Sequence, residues 1–243
     1  MQRLVSKVRS AVDKYGLIDE NDKIAVGVSG GKDSVVLLCA LSKLRRFYPK
    51  KFDITAITLD PCFDSKGADY SQIEQLCEKL QVEYKIKRAN LFDIIFNDRK
   101  EKNPCSLCSR MRRGILHDMC KELNCNKIAL GHHLDDAVET FFMNLLIGGN
   151  IGCFSPISYL SRKDLYLIRP LVFCEEKEIN SVSIKYKLPI EKSKCPADGK
   201  TKRQSTKELI KSLEKDYPDI KYKVIGAMKR SNIDGFAENT YNR

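Results

Sequence analysis

The 243-residue sequence lacks the features that mark exported and membrane-bound proteins. No apolar run is long enough to span a bilayer, and the first residues contain no continuous apolar segment like that of a signal peptide. Instead, apolar residues recur there at helical spacing and predict a surface helix packed by one face: Leu4, Val5, Val8, Val12 and Tyr15. We therefore expect a cytoplasmic protein without membrane contact.

The sequence also lacks the context in which its ten cysteines would form a disulfide scaffold. The chain is long enough to bury a core and shows no export signal, so most cysteines are expected to be buried small hydrophobes. One pair, Cys105 and Cys108, stands in polar, arginine-rich surroundings (CSLCSRMRR). No second C-x-x-C accompanies it, which argues against a structural zinc site.

Acidic residues are scarce in two segments, and the net charge of +11 is concentrated there. Residues 181–230 hold 14 Lys and Arg against 6 Asp and Glu, and residues 85–113 hold 9 against 3. Basic charge clustered in this way favours a polyanionic partner, most simply nucleic acid. The predicted RNA contacts are Arg110, Arg112, Arg113, Lys202 and Arg203.

Strand and helix patterns alternate along the first two-thirds of the chain. Five buried strands are predicted at 23–28, 52–60, 83–87, 126–131 and 164–170, with helices between most of them. This order predicts an α/β fold with a doubly wound, mostly parallel, five-stranded sheet, and ligands bound beyond the carboxyl ends of the strands. We predict an ATP-binding domain over 1–190 and a basic helical segment over 191–243.

The stretch SGGKDS at 29–34 follows the first predicted strand and opens a helix. Gly30 and Gly31 permit positive φ and close backbone approach, and amides at a helix N-terminus attract phosphate. The spacing fits neither the Walker A pattern nor G-x-G-x-x-G. The motif resembles the PP-loop of the ATP pyrophosphatase superfamily, and that resemblance implies cleavage of ATP to AMP and pyrophosphate with adenylation of a substrate oxygen.

A second stretch, ALGHHLDDAVET at 129–140, resembles the other nucleotide-site motif of that superfamily. The resemblance implies that Gly131 lets the adenosine approach and that Asp135 holds Mg²⁺ near the phosphates. Either Asp135 or Asp136 could instead cap the helix. The predicted cofactor-binding residues are Ser29, Gly30, Gly31, Lys32, Asp33, Ser34, Asp60 and Gly131, with Asp33 and Asp135 also predicted as catalytic.

Four interpretations compete for Cys105 and Cys108: a redox pair, a structural zinc site, inert buried thiols, or a metal cluster with one further cysteine. Nearby arginines and a helix N-terminus favour thiolates, which supports the cluster. The preferred third ligand is Cys195, which sits in a basic loop with no apolar periodicity to explain it. Cys174, Cys153 and Cys62 are the alternatives.

Taken together, SGGKDS, CSLCSRMRRGIL, GHHLDDAVETFFMNLLIGG and RPLVFCEEKEI resemble, in this order, the tRNA 2-thiocytidine synthetases, the TtcA-like group of PP-loop enzymes. The resemblance covers about residues 1–236. It implies a [4Fe–4S] cluster on Cys105, Cys108 and Cys195, with the pair also catalytic, and ATP and Mg²⁺ at the glycine turn. ATP would adenylate the C2 oxygen of an anticodon-loop cytidine, and sulfur would then displace AMP. The implied partners are tRNA and a cysteine desulfurase or other sulfide donor, and a homodimer is one expected assembly.

Three other functions fit parts of the sequence. A different PP-loop tRNA-modifying enzyme, a lysidine synthetase-like ligase, would need no cysteine cluster. A 2-thiouridine synthetase would carry terminal zinc-finger cysteines, and residues 1–30 contain no cysteine. A non-enzymatic RNA-binding module would explain the charge but not SGGKDS followed by GHHLDD.

Overall fold

The computed structural model describes residues 1–63, 67–98, 104–191, 195 and 202–237, and side chains at 96–98 are outside this description. Six strands form one sheet in the order β3-β2-β1-β4-β6-β5. Their bounds are β1 Asp22–Gly27, β2 Phe52–Asp60, β3 Glu83–Arg88, β4 Lys127–Ala129, β5 Ile157–Leu160 and β6 Leu165–Ile168. The helices are α1 Gln2–Tyr15, α2 Lys32–Leu44, α3 Ser71–Leu80, α4 Pro104–Glu122, α5 Leu134–Leu146, α6 Glu176–Lys185, α7 Lys202–Asp216 and α8 Ile220–Arg230.

The sheet is mostly parallel, as predicted. Strand β1 lies at its centre, in parallel register with β2 on one side and β4 on the other. The predicted five strands are all present, and β5 is an addition that pairs antiparallel with β6 at the edge. It has only four residues, all half-buried or exposed, so the sequence pattern did not reveal it. A π-helical turn at Asp93–Asp98 was also not predicted.

Helix α1 packs as its apolar spacing predicted, because all five apolar residues of the predicted face are buried. The carboxyl-terminal helices join the same hydrophobic cluster through Ile210, Ile225 and Met228. The Tyr15 hydroxyl donates to the Phe236 carbonyl at 3.1 Å, which ties the tail to α1. The division of the chain at residue 190 stays a prediction. Within the described parts of the chain, no helix is both long and apolar enough to cross a membrane.

Candidate functional site

A cavity of about 310 Å³ opens beyond the carboxyl ends of β1, β2 and β4, where an open α/β sheet binds ligands. One wall is apolar and is built from strand ends and α4: Val28, Ile57, Leu59, Leu116 and Leu130. The polar lining comes from the glycine turn, α4 and the β4–α5 connection: Ser29, Asp33, Ser34, Arg112, His132 and Asp136. An apolar slot edged by a few polar groups is the usual form of a small-ligand site.

Hydrogen bonds within SGGKDS close the glycine turn on itself. The Ser34 hydroxyl accepts from the Ser29 amide at 3.1 Å and donates to the Gly31 carbonyl at 2.8 Å. Gly30 has φ +89°, a conformation that favours glycine, whereas Gly31 is extended and caps α2. The α2 N-terminus therefore faces the cleft on a preformed turn, which is the geometry that binds a phosphate.

The Lys32 ammonium points toward α6. Its Nζ lies 3.0 Å from the Glu176 Oε1 and 3.3 Å from the Asp33 Oδ1. Burial opposes the charge, but these two carboxylates outweigh it and raise the Lys32 pKa. Glu176 also pairs with Lys207, and although burial opposes its ionisation, the two lysines lower its pKa to about 2. Lys32 thus connects the glycine turn to α6 and α7.

Asp33 and Asp136 are the two carboxylates of the cleft. Both flank His133, whose Nε2 lies 3.7 Å from the Asp33 Oδ1 and 3.4 Å from the Asp136 Oδ2. The Asp33 Oδ1 is buried and accepts no hydrogen bond, although Lys32 and His133 lie nearby. A buried carboxylate oxygen without a hydrogen bond is suited to bind a hard cation. Mg²⁺ is such a cation, and proteins bind it through one or two carboxylates together with substrate phosphates.

The structure corrects the position predicted for Asp135. Its Oδ2 accepts from the Glu176 amide at 2.7 Å, and its Oδ1 pairs with Lys221 at 2.9 Å. Successive residues of a helix point in different directions, so Asp136 faces the cleft and Asp135 faces α6 and α8. The sequence could not separate these neighbours, because the exact start of α5 decides which one faces inward.

Asp60 and Gly131 also have roles within the protein itself. The Asp60 carboxylate accepts from the amides of Cys62 and Ala68 at 2.9 and 2.8 Å, which closes the loop after β2. A Cβ on Gly131 would lie 3.0 Å from the backbone of Asp33 and Ser34. Gly131 therefore lets the β4–α5 connection approach the start of α2, and because it also lines the cavity, its contact with adenosine stays a prediction.

Two residues near the cleft were not predicted as site residues. Burial, with Arg169 nearby, lowers the pKa of His132 to about 4, so its imidazole is neutral. The His132 Nδ1 is buried without a hydrogen-bond partner, and its ring lies 5.2 Å from that of Phe154. The Arg169 guanidinium carbon lies over the same Phe154 ring, 4.7 Å from its centroid. Both histidines stand in the recognised motif, and the sequence does not distinguish His132 from the neighbouring His133, which is also buried.

Cys105 and Cys108 lie one turn apart at the start of α4, the first exposed and the second half-buried. Burial raises the pKa of the Cys108 thiol, and the opposing charge of Arg112 does not outweigh it. Arg112 therefore lowers the Cys108 pKa as expected, but burial has the larger effect and the net shift is upward. Arg112 nonetheless both lines the cleft and acts on this thiol, so cleft and thiols are neighbours.

Cys195 is close enough to Cys108 that its charge, like that of Cys105, acts on the Cys108 thiol. The alternatives lie in other surroundings. Cys174 is fully buried, and burial raises its pKa to about 12. The Cys153 thiol contacts the Ala137 carbonyl at 3.3 Å, and Cys62 contacts Asp60. Among residues with a described position, no three His, Cys, Asp or Glu side chains are grouped closely enough to hold a metal ion.

The predicted RNA contacts differ in what they touch. Arg110 and Lys202 are exposed, and Arg113 is exposed with its Nε bonded to the Ser109 carbonyl. Arg112 faces the cleft. The Arg203 guanidinium contacts α5, where it donates to Asp136 at 3.3 Å and to Glu139 at 3.1 Å. Contact of these five residues with RNA stays a prediction.

Comparison with known proteins finds relatives over most of the chain. A family model described as a PP-loop domain matches residues 2–213. The chain is 35% identical over 234 residues to a tRNA-cytidine(32) 2-sulfurtransferase of Citrifermentans bemidjiense, covering 95% of this chain and 90% of the relative. It is 37% identical to the protein of the same name from Haemophilus influenzae, covering 96% of this chain and 75% of the relative.

A solved structure resembles the fold closely. The U34-tRNA thiolase NcsA from Methanococcus maripaludis, determined with its [4Fe–4S] cluster, superposes with a TM-score of 0.77. It is 28% identical in sequence, and the match covers 94% of this chain and 77% of that one. The similarity therefore extends over both the glycine turn and the cysteine-bearing helix.

Proposed function

The chain belongs to the PP-loop family, among the tRNA-cytidine(32) 2-sulfurtransferases, and from this premise we propose that its cleft converts a tRNA cytidine to 2-thiocytidine. The observation that carries the proposal is the position of Arg112. This side chain lines the nucleotide cleft and is also a charge neighbour of the Cys108 thiol. A site that activates an oxygen and a site that handles sulfur thus share one wall.

The first half of the reaction is adenylation. The C2 oxygen of the cytidine attacks the α-phosphorus of ATP. The bond between that phosphorus and the oxygen that bridges it to the β-phosphate breaks, and pyrophosphate leaves. The α2 N-terminus and the closed turn around Ser29 and Ser34 bind the phosphates, while the apolar wall receives the adenine. Arg112 offsets the charge that develops on the phosphate.

Asp33 and Asp136 are the residues that would hold Mg²⁺. The orphaned Oδ1 of Asp33 supports this assignment, and Asp136 replaces Asp135 in it. When bound, the cation offsets phosphate charge. The chain's own contribution is to fix the Asp136 carboxylate: the His133 amide donates to its Oδ2 at 3.0 Å and the Arg203 guanidinium donates to its Oδ1.

Cys105, Cys108 and Cys195 are the residues that would hold a [4Fe–4S] cluster. Three thiols near a cationic helix suit that donor set, and they leave one iron without a protein ligand. When bound, the cluster would supply an iron site for sulfide. Hydrosulfide adds to C2, the C2–O bond breaks, and AMP leaves with the oxygen. The carbon is therefore neither oxidised nor reduced.

The substrate is a tRNA, and the exposed Arg110, Arg113 and Lys202 are proposed to contact its backbone. A cysteine desulfurase or another sulfide source supplies the sulfur, in the cytoplasm, and the assembly is proposed as a homodimer. A lysidine synthetase-like ligase is less well supported, because it gives the three neighbouring cysteines no role.

The test is mass analysis of nucleosides from tRNA treated with protein reconstituted under nitrogen, ATP, Mg²⁺ and sulfide. We expect brown protein and new 2-thiocytidine. Asp33→Asn should keep the iron yet form at least about a hundredfold less AMP. If tRNA gains 2-thiouridine or no thionucleoside while iron and ATP are bound, the proposal is wrong.

A further inference from the structure

Helix α6 begins with a glutamate whose two carboxylate oxygens contact different cations. The Glu176 Oε1 accepts from the Lys32 ammonium at 3.0 Å, and its Oε2 accepts from the Lys207 ammonium at 2.6 Å. The Glu176 amide donates to the Asp135 Oδ2 at 2.7 Å, which fixes the start of α6 against α5. Both the backbone and the carboxylate of Glu176 are therefore held, and the stretch RPLVFCEEKEI contacts the glycine turn through this residue.

The Lys32 ammonium is shared between Glu176 and the carboxylate proposed to hold Mg²⁺. Its Nζ lies 3.3 Å from the Asp33 Oδ1 and 3.4 Å from the Asp33 Oδ2, farther than from the Glu176 Oε1. Within the described residues, no donor forms a hydrogen bond with the Asp33 Oδ1. An ammonium drawn toward α6 thus leaves this oxygen open, and Asp33 lines the cleft.

An ammonium and a divalent cation compete for the same carboxylate, because both are attracted by its negative charge. Without the charge of Glu176, Lys32 would lose the nearer of its two partners and would pair with Asp33 alone. The side chains of Lys32 and Asp33 are 27% and 31% exposed, so water screens their attraction only in part. Mg²⁺ would then have to displace the ammonium before it could bind Asp33.

From this geometry we infer that Glu176 is a positioning residue that keeps the Lys32 ammonium off Asp33, so that Asp33 stays available to Mg²⁺ and the ATP phosphates. Glu176 acts through Lys32, and Lys207 fixes the direction of its carboxylate by holding the other oxygen. Lys32 thus adjusts the charge around Asp33 rather than binding phosphate. The inference rests on the proposed function, since it requires nucleotide binding that depends on Mg²⁺ at Asp33.

The test measures the affinity of the whole chain for α,β-methylene-ATP by calorimetry, once in excess Mg²⁺ and once in EDTA. The ratio of the two affinities is the Mg²⁺ enhancement, and measuring it requires no turnover. Glu176→Gln should lower the enhancement at least about fivefold relative to the wild type, with no loss of affinity in EDTA. Glu178→Gln removes the charge of another glutamate of α6, which pairs with Lys7, and should match the wild type.

A double-mutant cycle separates this role from a general disturbance of the fold. In a chain that carries Lys32→Met, Glu176→Gln should change the Mg²⁺ enhancement less than about twofold, because the competing ammonium is gone. If Glu176→Gln does not fold, Glu176→Asp decides the matter. It keeps the charge but withdraws it from Lys32 by one methylene, and it should lower the enhancement at least about twofold.

An equal enhancement in the wild type and the Glu176 variant would overturn the inference and leave the proposed function standing. A loss in Glu176→Gln that persists beside Lys32→Met would do the same. A rise in affinity both with Mg²⁺ and in EDTA would also overturn it, since the released Lys32 would then be binding phosphate. A wild type whose affinity does not respond to Mg²⁺ would instead refute the proposed cation site on Asp33 and Asp136, and the inference with it.

Discussion

The glycine turn and helix α4 both line the cleft, but the turn and the start of α4 are held in different ways. In the turn, the Ser34 hydroxyl joins an amide to a carbonyl, and the Gly30 carbonyl is bonded as well. At the start of α4, Cys105 is exposed and Cys108 is half-buried, and the part of the chain with described positions assembles no ready metal site. The glycine turn is thus organised by the chain alone, whereas the proposed cluster site would be completed only when the metal binds.

The largest expected effect comes from removing a thiol. Cys105→Ala and Cys195→Ala should each reduce bound iron and 2-thiocytidine to background, because two thiolates do not retain a cluster of this type. Pyrophosphate released in the first turnover should stay within about threefold, since the turn is built without the cysteines. Iron analysis and single-turnover release of pyrophosphate measure the two outcomes, because AMP leaves only when sulfur displaces it.

The buried Cys174 provides the control for that experiment. Cys174→Ala should keep full iron, because its fully buried thiol lies away from the pair. Loss of iron in Cys174→Ala together with retention in Cys195→Ala would reverse the assignment of the third ligand.

A second experiment separates the adjacent aspartates of α5. Asp136→Asn should lower AMP formation about a hundredfold, because Asp136 faces the phosphate end of the cleft. Asp135→Asn should change it less than about threefold and instead lower the free energy of unfolding by about 1–3 kcal/mol, since it weakens the ion pair with Lys221. Equal losses of AMP formation in both variants would show that the orientation of α5 is misassigned.

Glycine substitutions test how far the turn is preformed. Gly131→Ala places a Cβ against the backbone of Asp33 and Ser34, and we expect nucleotide affinity to fall about tenfold. Gly114→Ala, in α4, meets nothing within 4 Å and should stabilise the helix by about 0.5–1 kcal/mol without affecting nucleotide binding. Titration with ATP and urea unfolding provide both numbers. Unchanged affinity in Gly131→Ala would mean that the two motifs need not touch.

The smallest effect concerns pH. Burial lowers the pKa of His132 to about 4, so between its ordinary value near 6.5 and about 4 the unfolded chain binds a proton that the folded protein does not. Stability should therefore fall as the pH falls through this window, and His132→Gln should reduce the difference in urea midpoint between pH 7 and pH 5. The pKa of His117 is lowered too, so His117→Gln is the comparison. A pH dependence identical to that of the wild type in His132→Gln would contradict the burial of this ring.

The sequence predicted the glycine turn well because strand, turn and helix are coded by neighbouring residues. It could not distinguish Asp135 from Asp136, since that depends on where α5 begins against α6. Nor could it show that Arg203 pairs with α5 or that Asp60 closes its own loop, because those contacts join distant segments. The edge strand β5 escaped prediction for a different reason, because its four half-buried or exposed residues are too few to form a recognisable pattern.

The central claim is that the two neighbouring sites carry out successive halves of one reaction. Its most direct test uses tRNA labelled with ¹⁸O at the C2 oxygen of its cytidines, with mass analysis of the nucleotide products after thiolation. We predict one ¹⁸O atom in AMP for each 2-thiocytidine formed. Thiolation that leaves AMP unlabelled, or that places the label in pyrophosphate, would contradict adenylation of that oxygen in this cleft.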